Sequence, residues 1–255
     1  MKCDFLVSLY LMNHPAKIIK TADEAEEALR LNAEAERAAF LPGFFKAMPG
    51  GYGEGDLFLG VRVPLQRKVA GIAWKNMDRQ ELIKLLRSPY HECRLTALFI
   101  LVRQFEKAAT ESERESLVGC YLNHLDFVNN WDLVDSSAYQ LLGAHLYNKD
   151  RSLLYELAGS GHLWRQRVAM IATYYLIKKH VFGDTLRLSD LYLTHHHDLI
   201  HKATGWMIRE IGNRNFSTAY TYLKEHYLQM PRTMLRYAIE KYPDGLRKNF
   251  LKGKI

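Results

Sequence analysis

A tryptophan and an aspartate stand four residues apart in the segment Trp131-Asp-Leu-Val-Asp135. In a helix this spacing places Trp131 and Asp135 one turn apart on the same face, while Asp132 points elsewhere. If this face belongs to a surface that binds a polyanion, a carboxylate there is unfavourable unless it has a chemical role, and Asp135 is then a candidate catalytic residue. The alternative is structural: Asp135 forms a salt bridge or begins a helix, and Trp131 fills the core.

Two later segments carry side chains that could contact a nucleic acid. Arg165 and Arg167 stand at the start of a strongly apolar stretch; a guanidinium group there binds phosphate, orients a carboxylate, or pairs with a nearby acid.

Gly205 precedes Trp206 in an apparent helix. A glycine there costs roughly 1 kcal/mol relative to alanine, which indicates close packing or a ligand near the backbone. Trp206 would then contact deoxyribose or a base, unless it is a core residue.

Metal and nucleotide-binding motifs are missing from the sequence. The run Thr194-His-His-His-Asp198 has three consecutive histidines, which cannot all face one ion from a helix, and no cysteine or carboxylate motif completes a site. We expect a loop or a helix start there, with Asp198 as a possible cap. The P-loop, G-x-G-x-x-G, G-x-S-x-G and helix-hairpin-helix patterns are also absent. The expected protein therefore uses no metal and no cofactor.

Positive charge is concentrated toward the C-terminus. The 255 residues carry a formal net charge of +7. Residues 1–160 contain 19 lysines and arginines against 21 acidic residues, whereas residues 161–255 contain 16 against 7, a net charge of +9. Such an excess is the footprint expected for binding a polyanion, although a solvated basic surface would produce it too.

The cysteines and the N-terminal residues are informative about the cellular compartment of the protein. Cys3, Cys93 and Cys120 are far apart and in no metal-ligand spacing, so they predict neither a disulfide nor a zinc site and suit a reducing cytoplasm. An apolar run at residues 5–12 is too short to span a membrane. We interpret residues 1–20 as an N-terminal extension and residues 21–255 as a single domain without membrane contact.

Helical patterns dominate the chain. Apolar residues recur three and four apart, alternating runs are scarce, and no sheet is expected. Thr21 can cap a first helix over residues 22–40, and the glycine loop at residues 49–55 should break regular structure and be the most flexible internal segment. Six prolines are predicted at helix boundaries rather than in helix interiors: Pro42, Pro49, Pro64, Pro89, Pro231 and Pro243.

Internal repetition predicts the architecture. Residues 93–100, 166–173, 201–208 and 232–239 share a polar entry followed by an apolar helix rich in small residues. With the Trp131 segment they give anchors spaced by 37, 36, 35 and 31 residues: Arg94, Trp131, Arg167, Lys202 and Thr233. This period predicts an all-α, HEAT-like α-solenoid of paired helices. The second helices would line a curved, concave basic groove on which Trp131, Arg167, Lys202 and Trp206 converge.

From about Phe44 to the C-terminus the sequence resembles the AlkD-like DNA alkylation repair family of helical-repeat DNA glycosylases. Five motifs carry the resemblance: Phe58-Leu-Gly-Val-Arg-Val-Pro-Leu-Gln-Arg-Lys68, Trp131-Asp-Leu-Val-Asp135, Trp164-Arg-Gln-Arg-Val-Ala169, Lys202-Ala-Thr-Gly-Trp-Met-Ile-Arg-Glu210 and Met230-Pro-Arg-Thr-Met-Leu-Arg-Tyr-Ala-Ile-Glu-Lys241. The resemblance implies a C-shaped fold that holds duplex DNA and releases cationic bases such as 3-methyladenine and 7-methylguanine in base excision repair. It also implies that Asp135 is the catalytic aspartate, Trp131 and Trp206 the lesion-contacting tryptophans, and Arg167 the groove arginine.

The implied chemistry suits these residues. Alkylation at N3 or N7 makes the purine cationic and therefore a good leaving group, so the base needs no general acid. The Asp135 carboxylate can stabilise the oxocarbenium-like sugar and direct a water molecule to it, while the indole faces of Trp131 and Trp206 attract the positive charge. The resemblance further implies that the lesion is not drawn into a tight base pocket, unlike in most glycosylases.

DNA affinity should come mainly from phosphate contacts that weaken with salt. The candidates are Arg165, Arg167, Lys202, Arg209, Arg232 and Arg236, although Arg209 could equally pair with Glu210 or a neighbouring helix. We expect a monomer. The aromatic residue that the family has before its Phe-Leu-Gly motif has no assured counterpart, the nearest residues being Phe44, Phe45 and Tyr52.

Two other functions fit the same architecture. A catalytically inactive scaffold could bind damaged or unusual DNA, but such a protein gains nothing from an acid in a phosphate groove. A protein-interaction solenoid would need an apolar groove, and it leaves the C-terminal charge unexplained.

Overall fold

The computed structural model describes residues 18–255, so most of the expected N-terminal extension, residues 1–17, lies outside the described residues. The chain divides into two compact units, Met1–Ser137 and Ala138–Ile255. Within residues 18–255 there is no β-strand, only an isolated parallel bridge between Leu57 and Tyr90. The all-helical fold class is confirmed, whereas the single domain over residues 21–255 stays a prediction.

The described part of the N-terminal unit contains seven α-helices: α1 (Ala22–Arg30), α2 (Ala35–Phe44), α3 (Val63–Ala73), α4 (Arg79–Leu86), α5 (His91–Lys107), α6 (Glu111–Asn123) and α7 (Trp131–Asp135). Helix α5 is central, because it packs against α3, α4, α6 and α7. Leu98, Ile100 and Leu101 on α5 are fully buried, and each such side chain stabilises the fold by about 1.5–3 kcal/mol.

The C-terminal unit, residues 138–255, begins with a π-helical turn (Tyr139–Gly143) and continues with seven α-helices: α8 (Ser152–Ala158), α9 (Leu163–Lys178), α10 (Gly183–Leu191), α11 (Asp198–Gly212), α12 (Phe216–His226), α13 (Arg232–Ala238) and α14 (Asp244–Lys252). The π-turn, α9, α11 and α13 pack side by side as one row, and α8, α10 and α12 pack against members of that row. This arrangement of helix pairs is the predicted helical repeat.

The predicted anchors lie near the starts of the second helices. Arg94 is on α5, Trp131 begins α7, and Arg167, Lys202 and Thr233 lie within the first five residues of α9, α11 and α13. The helical repeat is therefore confirmed at each anchor. The curvature and the concave groove stay predictions.

The single helix predicted over residues 22–40 is wrong. Thr21 caps α1 as expected, with its hydroxyl accepting a hydrogen bond from the Glu24 amide, but the helix ends at Arg30 and a new one begins at Ala35. The Asn32 side-chain amide donates to the Ala28 carbonyl at 2.8 Å. In a continuous helix the backbone amide of residue 32 would fill that carbonyl, so the asparagine side chain replaces the helical bond and allows the break.

Pro42 lies inside α2, contrary to the expectation that all six prolines mark boundaries. It is in the last turn, where the missing amide removes a single hydrogen bond. Of the other five, Pro64 lies in the first turn of α3, Pro231 and Pro243 are the residues before α13 and α14, and Pro49 and Pro89 lie in loops.

The glycine loop at residues 49–55 forms a series of hydrogen-bonded turns instead of a helix, as expected. A Cβ atom on Gly53 would lie 2.6 Å from the Phe45 carbonyl oxygen and 2.9 Å from the Asn130 side-chain nitrogen. Only glycine permits this approach, so the loop packs directly against the residue that precedes α7. The flexibility expected of the loop stays a prediction.

Candidate active site

The five-residue helix α7 carries the candidate catalytic pair. Trp131 begins the helix and Asp135 ends it, so the two side chains share a face as the spacing predicted. Both are half-buried. The Trp131 ring centroid lies 5.9 Å from that of Phe44 and 5.5 Å from that of Phe45. The tryptophan thus packs against aromatic rings on one side while part of its surface remains exposed.

The charge of the Asp135 carboxylate affects the pKa of a buried tyrosine, Tyr121. Tyr121 is fully buried, and its hydroxyl lies 3.1 Å from the Ser137 hydroxyl. Burial raises the pKa of Tyr121, and the negative charge of Asp135 raises it further. The tyrosine therefore stays neutral next to the carboxylate at physiological pH.

The start of α7 is fixed by Asn130, which is fully buried. Its side-chain oxygen accepts a hydrogen bond from the Trp131 amide at 2.9 Å, and its side-chain nitrogen donates to the Phe45 carbonyl at 3.4 Å. An asparagine at a helix N-terminus satisfies an amide that has no helical partner. Asn130 thus ties Trp131 to the segment that carries the neighbouring phenylalanines.

A buried ion-pair network, which the sequence analysis missed, lies behind α7. His91 Nδ1 is 3.0 Å from an Asp56 carboxylate oxygen, and His91 Nε2 is 2.8 Å from an Asp132 oxygen. Arg94 contacts the other oxygen of Asp56 at 2.6 Å. Asp132 points away from the face shared by Trp131 and Asp135, as expected, and it points to His91. The sequence feature that could have indicated this network is the pair His91 and Arg94, three residues apart at the start of the apolar helix α5.

Glu92, next in sequence, anchors the Phe-Leu-Gly motif. Its buried carboxylate accepts hydrogen bonds from the amides of Leu59, Gly60 and Val61 at 3.0, 2.8 and 3.2 Å. Gly60 adopts a φ of +84°, and a Cβ there would lie 2.2 Å from the Glu34 carbonyl oxygen, so this position requires glycine. The motif is therefore structural: it fixes the chain that leads from the glycine loop into α3.

A cavity of about 30 Å³ borders this network, with Phe45, Gln66, His91 and Asp132 among its lining residues. This volume suits a water molecule, whereas ligand pockets are typically about ten times larger. The cavity is too small for a purine base.

In the C-terminal unit Trp206 ends a row of aromatic rings. The centroids of Tyr139 and Tyr174 are 5.1 Å apart, and those of Tyr174 and Trp206 are 5.9 Å apart. Lys178 Nζ lies 5.6 Å from the Tyr139 ring centroid, and the Arg214 guanidinium carbon lies 5.5 Å from that of Tyr174. The three rings are half-buried and occupy successive repeats. The two tyrosines were missed because each lies in an apolar stretch.

Arg167 has a different environment from the one expected of a groove arginine. Its side chain is only 4% exposed, and Nη1 donates to the Leu199 carbonyl at 2.5 Å. This bond joins α9 to the first turn of α11. Arg165, two residues earlier, is half-buried. The geometry of Arg167 favours a role in positioning helices over direct binding of phosphate.

The remaining phosphate candidates differ in exposure and in partners. Lys202 pairs with Asp198 at 2.6 Å, and Arg209 pairs with Glu240 rather than with Glu210. Glu210 instead pairs with Arg214 at 2.8 Å and accepts a hydrogen bond from the Trp206 indole at 3.2 Å. Arg232 and Arg236 are exposed, and Arg232 donates to the Leu251 carbonyl.

The histidine run forms a loop before α11, as expected, but the cap is His197 and not Asp198. His197 Nδ1 accepts from the Leu199 amide at 3.1 Å, while Asp198 is the first helical residue. No group of three or more potential metal ligands is found in the described part of the chain. Over the same residues, no helix is long and apolar enough to cross a membrane.

Comparison with known proteins identifies the family. The model of the DNA alkylation repair enzyme family matches residues 25–242. The chain belongs to this family. A search of curated proteins found no match. A solved structure described as a predicted DNA alkylation repair enzyme from Enterococcus faecalis superposes with a TM-score of 0.62 at 16% sequence identity, over 89% of this chain and 100% of that one.

Membership in the DNA alkylation repair enzyme family covers both units and all candidate residues, because the match extends from α1 to the end of the α13 repeat. At 16% identity the solved structure supports the helical-repeat fold alone. The family confirms the resemblance found in the sequence. The roles of the individual residues stay predictions.

Proposed function

We propose that this DNA alkylation repair family member is a DNA glycosylase that releases cationic alkylated purines, such as 3-methyladenine and 7-methylguanine, from duplex DNA. The observation that carries the proposal is the placement of Asp135 one helical turn from Trp131 on α7. A half-exposed carboxylate on the same helix face as an indole suits a sugar that becomes positively charged.

In the proposed reaction the bond between C1′ of deoxyribose and the alkylated purine breaks, and its electron pair leaves with the base. The base departs neutral because it began as a cation, so no proton has to be supplied to it. Asp135 stabilises the oxocarbenium-like sugar and directs a water molecule to C1′. The water adds its hydroxyl, its proton goes to solvent, and an abasic site remains.

The C-terminal unit would supply the second tryptophan and most of the attraction for DNA. Trp206 and the Tyr139 and Tyr174 rings offer half-exposed surfaces that can press against sugars or bases, and Lys178 and Arg214 lie beside them. Aromatic rings interleaved with cations are typical of surfaces that bind nucleic acids. The exposed Arg232 and Arg236 are the proposed phosphate contacts, and the protein acts as a monomer.

The test is release of free base from alkylated duplex DNA by the native protein and by Asp135→Asn. We expect the native protein to release 3-methyladenine and 7-methylguanine above a control without protein. Asp135→Asn should bind DNA at least as well, because it removes a negative charge, yet release base at least about 100-fold more slowly. Glu225→Gln removes an exposed carboxylate from α12 and is the matched control with unchanged release.

A DNA-binding scaffold is the competing function, and the same experiment separates the two. If the native protein binds alkylated DNA but releases no more base than the control without protein, the glycosylase proposal fails and the scaffold takes its place. If Asp135→Asn and Glu225→Gln both keep native release, Asp135 is not the catalytic carboxylate.

A further inference from the structure

His91 sits between two carboxylates and beneath an aromatic stack that ends at Trp131. Its ring nitrogens contact Asp56 at 3.0 Å and Asp132 at 2.8 Å. The imidazole ring stacks on Phe45 with centroids 4.5 Å apart, and Phe45 lies 5.5 Å from Trp131. Two separate paths therefore lead from His91 to the candidate site: a hydrogen bond to the residue next to Trp131, and ring contacts through Phe45.

The contacts require a doubly protonated ring. A carboxylate accepts hydrogen bonds, so both His91 nitrogens must donate, and only the imidazolium form does so. Burial opposes the charge, but the carboxylates of Asp132 and Asp56 outweigh it and raise the pKa of His91 to about 9, while Arg94 lowers it. Arg37 and Glu92 line the adjoining cavity and are the other charged groups nearby.

Helix α7 needs such an external attachment. A helix of five residues forms about one turn and is unstable by itself, because nucleation costs more than one hydrogen bond returns. His91 joins α5 to α7 through Asp132, and through Asp56 it also joins the end of the glycine loop. Asp56 is itself held by Arg94 at 2.6 Å and by the Asn129 side chain at 3.2 Å.

We propose that His91, held between Asp56 and Asp132, is a positioning residue that fixes Trp131 and α7 in the orientation required for base release, a role that rests on the proposed glycosylase function. The histidine is not a catalytic residue, because its side chain is only 2% exposed and cannot touch DNA. It acts through Asp132 and Phe45.

The decisive experiment follows the indole N–H signals of the native protein by nitrogen-15 NMR as pH rises, with the Trp131 signal assigned from Trp131→Phe. The Trp131 signal should shift with the same midpoint as the His91 ring, near 9. In His91→Gln it should start at a displaced position and no longer titrate over that range. His180→Asn, at an exposed turn residue after α9, is the matched control and should change nothing.

This readout does not depend on activity, and the titration of the native protein does not require His91→Gln to fold. If the Trp131 signal in the native protein stays fixed while the His91 ring titrates, the positioning role is overturned. If Trp131 follows His91 but the native protein releases no base, the glycosylase function fails while the link between His91 and Trp131 stands.

A kinetic measurement then tests the consequence for the reaction. Single-turnover base release by His91→Gln should fall by about 10- to 100-fold, the range expected when a reacting group is displaced by about 1 Å, while the DNA dissociation constant changes less than about threefold. Native release with a displaced Trp131 signal would overturn the claim that this orientation matters for the reaction.

Discussion

Single side chains in this protein divide between those held by buried bonds and those exposed to solvent, and the division bears on DNA binding. Arg167 is nearly fully buried and donates to a backbone carbonyl, whereas Arg232 and Arg236 are exposed. A guanidinium group that donates a buried hydrogen bond can turn toward phosphate only by breaking that bond, which costs free energy. The two kinds of arginine should therefore respond differently to mutation.

Arg167→Ala should lower the free energy of unfolding by about 1.5–3 kcal/mol, because it removes a buried hydrogen bond that a charged group donates to the Leu199 carbonyl. It should leave the salt dependence of DNA binding unchanged. Arg236→Ala should keep the native stability and reduce the slope of log Kd against log salt by about 0.9 if one phosphate contact is lost. Urea unfolding and DNA binding at several salt concentrations measure both. An equal loss of slope in the two variants would make Arg167 a phosphate ligand.

The secondary-structure elements depend on close contacts between helices. Gly205 on α11 faces α13 so closely that a Cβ atom would lie 2.3 Å from the Met234 carbonyl oxygen and 2.6 Å from the Tyr237 Cβ. The sequence indicated close packing or a ligand at this glycine, and the structure shows close packing. Gly119 on α6, in contrast, has open space where a Cβ would lie.

Gly205→Ala should destabilise the protein by about 1–3 kcal/mol, since backbone must move to admit the methyl group. Gly119→Ala makes the same chemical change without a clash and should stabilise by about 0.5–1 kcal/mol through helix propensity. Thermal and urea unfolding of the pair give the comparison. Equal effects of the two substitutions would show that α11 and α13 can separate at no cost.

The attachment of α7 and the glycine loop to α5 should make stability depend on pH. The pKa of folded His91 is about 9, above its ordinary value of 6.5, so its contribution is complete below pH 6.5 and is lost as pH rises through 9. Asp56 has a lowered pKa, so its contribution is present above its ordinary pKa of 3.8 and is lost as pH falls through the folded value.

The free energy of unfolding should thus decrease by up to about 3 kcal/mol between pH 6.5 and pH values above 9. Urea unfolding across this range measures the decrease, and His91→Gln should remove most of it. A native curve as flat as that of the variant would mean that His91 is uncharged in the folded protein.

Across the whole molecule, the two units that the contacts define also differ in net charge. Residues 138–255 contain 18 lysines and arginines against 9 acidic residues, a net charge of +9, whereas residues 1–137 contain 17 against 19, a net charge of −2. Counterion release makes a basic surface the main source of DNA affinity. The C-terminal unit should therefore dominate binding, although the candidate carboxylate belongs to the N-terminal unit.

Reversing two charges in the C-terminal unit, with Arg232→Glu and Arg236→Glu together, should weaken DNA binding at least about tenfold at low salt and reduce its salt dependence. Lys75→Glu with Lys107→Glu makes the same change of charge at exposed residues of the N-terminal unit and should cost less than about threefold. Comparable losses in the two double variants would contradict a binding surface concentrated after Ser137.

Local physics accounts for what the sequence alone determined. Helix periodicity, the Thr21 cap and the 31- to 37-residue repeat are patterns within one segment, so they predicted the helices, the repeat and the shared face of Trp131 and Asp135. The motifs also identified the family, which the match over residues 25–242 confirmed.

Contacts between distant segments account for what only the tertiary structure decided. Asp56, His91 and Asp132 are 35 and 41 residues apart along the chain, and no local pattern states that they meet. The burial of Arg167 and the row from Tyr139 to Trp206 likewise arise when separate helices pack. Even the break after Arg30 depends on one side-chain hydrogen bond, from Asn32 to the Ala28 carbonyl. Helix propensities do not predict this break, because the side-chain bond and the backbone bond that it replaces are nearly equal in free energy.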